Sequence, residues 1–134
     1  MLLAVVDTNV WVSAFLSPQG TPAKLLLEFS KGSLLPVYSA EIETEYLDVL
    51  YRSKLNIARD VLAEFMEMLN ENGRLVLPIS LTLANLPDPD DAPFIATALY
   101  ANCPVITGNA RDFPPATGVK VLSPAEALSR LQAA

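Results

Sequence analysis

The chain has 134 residues, 51% of them apolar, with nine Lys plus Arg against fifteen Asp plus Glu, a net charge of −6 and no histidine. Such a length and composition suit one folded domain that buries roughly two-thirds of its unfolded surface, and they exclude a disordered chain. The absence of histidine excludes Ser-His-Asp and Cys-His hydrolysis and histidine-ligated zinc, so any chemistry rests on carboxylates.

The apolar run Met1-Leu2-Leu3-Ala4-Val5-Val6 shows no polar alternation and predicts a strand at Leu2–Val6 buried on both faces of a parallel sheet. A short helix follows from about Asn9 to Leu16, then a turn at Ser17–Gly20. Thr21-Pro22 opens a second helix with proline in its tolerated first turn, and Gly32 closes it. Leu34–Tyr38 is a second strand, and Ser39 caps a helix reaching about Arg52. An amphipathic helix spans about Ala58–Asn72, ends at Gly73 and leads to a short strand at Arg74–Leu77. After a loop through Pro87, a helix runs from about Asp91 to Ala101. The strand Val105–Thr107, a short segment around Asp112 and the strand Val119–Leu122 follow. Ser123-Pro124-Ala125-Glu126 is a capping box that starts a terminal helix. Strands alternating with helices predict a three-layer α/β/α sandwich about a central parallel sheet of about five strands.

Cys103 stands alone, which excludes an intrachain disulfide and a cysteine-rich zinc site. Beside Pro104 it reads as a small core residue. No apolar run nears the ~18 residues of a membrane span, and Asp7 interrupts the one signal-like N-terminal segment. The expectation is a cytoplasmic protein without a membrane partner. The acidic balance by itself argues against nucleic acid, unless several acids surround a cation whose charge inverts the local field.

Most of the acids read as solvated surface, including Glu64, Glu67 and Glu71 on one helix and Glu41, Glu43 and Asp48 on another. Four stand apart. Asp7 closes the first strand, at the sheet edge where ligands gather, as either a chemical group or a turn residue. Glu45 borders the apolar stripe Ile42, Tyr46, Val49 and Leu50 at 100° per residue. Asp91 falls within the arc of Phe94, Ile95 and Ala98, either favouring the helix N-terminus electrostatically or facing a cleft. Asp88 and Asp90 read as turn and cap residues. Asp112 follows the Val105–Thr107 strand, past Gly108, again at the carboxyl edge. Like charges brought so close repel unless protonated or neutralised by a cation. Oxygen-only ligands suit magnesium or manganese rather than zinc, and the matching chemistry is metal-assisted attack of water on a phosphodiester.

Four segments carry a family likeness: Val6-Asp7-Thr8-Asn9-Val10, Ser39-Ala40-Glu41-Ile42-Glu43-Thr44-Glu45, Asp91-Ala92-Pro93-Phe94-Ile95-Ala96-Thr97-Ala98-Leu99 and Thr107-Gly108-Asn109-Ala110-Arg111-Asp112-Phe113. In this order they resemble the four blocks of the PIN domain, over essentially the whole chain, and they are similar to the VapC-type toxins of toxin–antitoxin pairs and other compact prokaryotic PIN proteins. The resemblance implies a Mg²⁺- or Mn²⁺-dependent ribonuclease whose metal is held by Asp7, Glu45, Asp91 and Asp112, with Asn9, Thr107 and Asn109 in support. Asn109 stands where many relatives have aspartate. The implied partners are an RNA substrate, an antitoxin protein and a second copy of the chain. Arg52, Lys54 and Arg59, and Arg111 inside the last block, are the candidates for phosphate contact, with ordinary surface charge the alternative for each. Trp11 reads as packing rather than a base-stacking platform. Two other classes stay open: a phosphatase or receiver-type phosphotransfer domain, for which Asn9 replaces the expected second aspartate, and an inert PIN scaffold acting through protein contacts.

Overall fold

The apolar run before Asp7 is strand β1 (Leu2–Val6), the centre of a five-stranded, all-parallel sheet. In the computed structural model, residues 1–78 and 86–133 are described, and the loop expected to lead through Pro87 falls largely outside them. The other strands are β2 (Leu34–Tyr38), β3 (Arg74–Leu75), β4 (Val105–Ile106) and β5 (Val121–Leu122). Six helices accompany them: α1 (Thr8–Leu16), α2 (Thr21–Lys31), α3 (Ala40–Leu50), α4 (Arg59–Asn72), α5 (Ala92–Ala101) and α6 (Pro124–Ala133).

The strand order is β3-β2-β1-β4-β5. The chain steps outward from β1 through β2 to β3, then returns to the other side of β1 with β4. The order therefore reverses between β1 and β4, and ligands of open parallel sheets collect outside the carboxyl ends of the strands at such a reversal. Val5 pairs with Val105 and Val6 with Ile106, which sets Asp7 and Thr107 side by side one step beyond the ladder.

Helix α5 packs on β1, β2 and β4 with α3 beside it, while α2 packs on β2 with α1 and α6 against it. Together with the sheet these make the expected α/β/α sandwich. The core runs through Val5, Val37, Ile42, Ile95 and Val105, all without measurable exposure. An aromatic knot joins three helices: Trp11 and Phe15 of α1 meet the Phe65 ring of α4 at 5.1 and 5.3 Å, and Phe29 of α2 lies 6.0 Å from Trp11. Trp11 is fully buried, so it packs and offers no stacking face to a base.

Several boundaries are tighter than the sequence suggests, each for a local reason. Strand β3 stops at Leu75, on the sheet edge, where Leu77 is already largely exposed. Proline within β2 is tolerated because the ladder to β3 begins only at Val37, so nothing on that side requires an amide from Pro36. Strand β4 ends at Ile106 because the chain turns after Thr107 into a 3₁₀ turn at Ala110–Asp112, and β5 pairs only where β4 exists. Helix α3 ends at Leu50 instead of Arg52, and an unexpected 3₁₀ turn at Ser53–Leu55 leads to Asn56, whose φ of 52° asparagine tolerates. Cys103, expected in the core, is only half-buried.

Two glycines differ sharply in what they permit. A Cβ on Gly73 would stand 2.6 Å from the Leu69 carbonyl oxygen and 3.1 Å from the Tyr38 ring, where α4 turns into β3. A Cβ on Gly108 would meet nothing within 4 Å. Gly73→Ala should lower the free energy of unfolding by about 1–3 kcal/mol through overpacking, whereas Gly108→Ala should stay within about 0.5 kcal/mol of wild type. Urea denaturation of both variants checks this, and equal stabilities would contradict the close approach at Gly73.

Candidate active site

Asp7 leaves the sheet at the end of β1 and is the N-terminal flanking residue of α1, with extended backbone (φ −61°, ψ 139°) that turns its carboxylate outward from the strand end. Only 7% of it is exposed. Its Oδ2 accepts a 2.7 Å hydrogen bond from the Thr107 hydroxyl at the end of β4. The same hydroxyl oxygen accepts the Asn109 backbone N–H at 3.0 Å, so the Thr107 proton is committed to Asp7. The Asn109 side-chain amide donates to Asp112 Oδ2 at 2.7 Å. A continuous chain of bonds thus joins Asp112, Asn109, Thr107 and Asp7.

On the other flank, Ser39 accepts the Ile42 N–H and starts α3, which presents Glu45. The Thr8 hydroxyl donates to Glu45 Oε2, and the neighbouring Tyr46 hydroxyl donates to the Val6 carbonyl. These two bonds dock α3 onto the end of β1. Sequence reasoning missed both donors. Thr8 was visible only as the residue between Asp7 and Asn9, and Tyr46 only as part of the apolar stripe.

Asp91 lies outside α5, contrary to expectation. It ends a 3₁₀ turn at Pro89–Asp91 and flanks the helix N-terminus at Ala92. The turn forms because Asp88 accepts the Asp90 N–H at 3.0 Å, the capping role expected of it, with Pro89 pre-set for a tight turn. The carboxylate still points inward: Asp91 Oδ2 is buried and, among the described residues, has no hydrogen-bond partner.

The acids act on one another electrostatically. Burial, first, and then the charges of Asp7, Asp112, Asp88 and Glu45 push the Asp91 carboxyl up to about 7. Burial also raises Glu45, against the Thr8 hydroxyl, with Asp7, Asp90 and Asp88 adding to the rise. Asp7 is raised by burial and by Asp112, and held down by Thr107 and the backbone of Asn9. Asp88 and Asp90, read from sequence as turn residues alone, therefore belong to the field of the site as well.

The four expected acids surround one edge but do not close into a ligand shell: among the described residues no three of them stand near enough together to grip an ion. Repulsion accounts for the spread, with Asp7, Glu45 and Asp112 each drawn to its own hydroxyl or amide donor. The donor set nonetheless fits a hard divalent cation. It is entirely oxygen, and Asp91 Oδ2 is a buried acceptor left without a partner.

A cleft of about 290 Å³ opens beside Asp7, Asn9 and Asn109. The basic candidates lie elsewhere. Arg52 and Arg59 line a cleft of about 330 Å³ past the end of α3, where Arg52 pairs with Asp48 at 3.0 Å and the Arg59 guanidinium sits 5.8 Å above the Tyr51 ring. Lys54 is exposed in the intervening 3₁₀ turn, and Arg111 is exposed beside Asp112. A larger cleft of about 550 Å³, lined by Cys103, Lys120, Leu122 and Arg130, runs beside β5 and includes none of the four acids.

Residues 4–111 match the family described as PIN domain, from within β1 to Arg111, one residue short of Asp112. A search of curated proteins finds no match. No described helix is long and apolar enough to cross a membrane.

The raised Asp91 carboxyl has a consequence for stability. Its folded-state value, about 7, lies above its ordinary 3.8, so the stability it contributes is fully present below about pH 4 and is lost as pH rises through about 7. In EDTA, Asp91→Asn should therefore melt above wild type at pH 8, with the gap closing toward pH 4. Melting curves that run parallel across this range would show that Asp91 is not strained by its neighbours.

Proposed function

The chain belongs to the PIN-domain family, nuclease-type enzymes that generally use divalent metals, and from that premise we propose that it is a Mg²⁺- or Mn²⁺-dependent endoribonuclease. The observation that carries the reading is the sharing of one electrostatic field by Asp7, Glu45, Asp91 and Asp112 at the sheet's reversal point. Membership takes the chain out of the phosphatase and receiver-type classes. Among the described residues Asp91 Oδ2 is buried without a partner, which favours a bound cation over an inert scaffold.

Asp7, Glu45, Asp91 and Asp112 would hold the cation, with Asn9 and Asn109 at its margin. A bound divalent cation supplies Lewis-acid stabilisation of the phosphodiester and a lowered pKa for the attacking water. The protein's own part is positioning. Thr107 places its proton on Asp7 Oδ2, leaving the other carboxylate oxygen for the cleft, and Thr8 does the same service for Glu45. From Glu45, helix α3 runs five residues to its end at Leu50, about 7.5 Å at 1.5 Å per residue, just before the Arg52 corner. Arg52, Lys54 and Arg59 would meet backbone phosphates on one side of the scissile bond and Arg111 on the other.

The likeness to VapC-type toxins extends the proposal to a homodimer held inactive by an antitoxin. Two subunits would bring both basic corners to one substrate, which a chain of net charge −6 needs. An arginine from an inhibitor would be drawn to the unpaired acids.

Purified protein should cleave single-stranded RNA with Mn²⁺ and stop with EDTA, and Asp7→Asn should weaken Mn²⁺ binding at least about tenfold, about 1.4 kcal/mol. Cleavage untouched by Asp112→Asn combined with Glu45→Gln would locate the activity elsewhere. For the toxin role, expression of the chain alone should arrest bacterial growth, and Asp7→Asn should relieve the arrest. Growth unhindered by an active nuclease would reduce the protein to a solitary ribonuclease.

A further inference from the structure

The cleft of about 290 Å³ beside Asp7 has a lining unlike that of the acid edge it adjoins. Beyond Asp7 and Val10, it is walled by Asn9, Ser13, Pro22, Gly108, Asn109 and Pro124. Asp7, the one charged residue of this lining, is among the acids that would hold the cation, and the rest of the lining carries no positive side chain to pair with a phosphate of its own. An uncharged occupant is favoured instead. The two prolines stand at the openings of α2 and α6, helices that pack together, and give the cleft rigid apolar walls. Opposite them are neutral hydrogen-bonding groups. Among the described residues neither Asn9 nor Ser13 spends its side chain on an internal bond, and Asn109 donates to Asp112 while its carbonyl oxygen stays free. A flat heteroaromatic ring with donors and acceptors along its edge has this chemistry. Room is sufficient: a cavity of about 150 Å³ already admits benzene.

We propose that this cleft is a base-recognition subsite, which takes one nucleobase of single-stranded RNA next to the scissile phosphate and sets where the chain is cut. The inference rests on the ribonuclease reading and names the part of the substrate that the acids themselves leave unread. Sequence is read by contacts to bases, while phosphate contacts only position the strand. Single-stranded RNA can splay a base out for such contacts.

Gly108 provides the test, because a Cβ there would meet nothing within 4 Å and yet stands in the cleft lining. Each of the four ribonucleosides, which carry no phosphate and so need no metal, would be titrated into isotope-labelled protein. At least one should shift the amides of Ser13, Gly108 and Asn109 saturably, and Gly108→Leu should abolish the shifts without lowering the melting temperature. Should Gly108→Leu fail to fold, Ser13→Phe on the exposed face of α1 gives the same readout. In cleavage assays, wild type should favour one base at a fixed position beside the cut, and the blocked variant should lose that preference at least tenfold. Absence of nucleoside shifts around Ser13 and Gly108, shifts that persist in the blocked variants, or an unchanged base preference would each overturn the subsite. RNA left uncut by wild type, with the nucleoside shifts intact, would remove the nuclease reading and support the subsite as a base-binding cleft.

Discussion

The hydrogen bond from Thr107 to Asp7 closes the carboxyl ends of β1 and β4 at the one place where the sheet changes direction. A hydrogen bond to a charged group contributes about 1.5–3 kcal/mol, and this one stabilises a carboxylate that is otherwise largely removed from water. It also fixes the order of what lies beyond. Asn109 holds the Thr107 oxygen and the Asp112 carboxylate together, so the turn after β4 is fastened to the strand it leaves. Thr8 and Tyr46 fasten α3 to β1 from the other side. The acids do not float on loops; each hangs from a strand end or helix start by a named donor, except one.

Asp91 is the exception, and the asymmetry is informative. Asp7, Glu45 and Asp112 each accept a hydrogen bond from a protein donor. Asp91 has burial and four negative neighbours and, among the described residues, nothing to set against them. A site that needed only structural order would have supplied a hydroxyl there as well. Among the described residues no donor meets this buried oxygen, which leaves it open to a partner from outside the chain.

Much of this was legible in the residues. Unbroken apolar runs at Leu2–Val6 and Leu34–Tyr38 announced a buried parallel sheet, and acids just past strand ends announced its functional edge. What escaped was the work of neutral groups. A threonine beside an aspartate, or a tyrosine inside an apolar stripe, carries no periodic signal of its role, because that role depends on which strand end lies opposite. The short strands escaped for a related reason. β3 stops at the sheet edge, β4 ends where the chain turns after Thr107, and β5 pairs only along β4. The displacement of Asp91 out of α5 followed from the Asp88 cap and Pro89, which together favour a tight turn over one more helical residue.

The central position of β1 has a kinetic side. The first strand made finds its second neighbour only at Val105, and the Thr107–Asp7 bond spans one hundred residues. Contacts so distant in sequence form late, since the loop they close must be ordered first. A chain growing on the ribosome folds from its N-terminal side at a pace set by synthesis, and it carries Asp7 and Glu45 from early on without Thr107, Asp91 or Asp112. Half of the acidic edge is thus absent until most of the chain has been made, so the edge is completed only as synthesis nears its end.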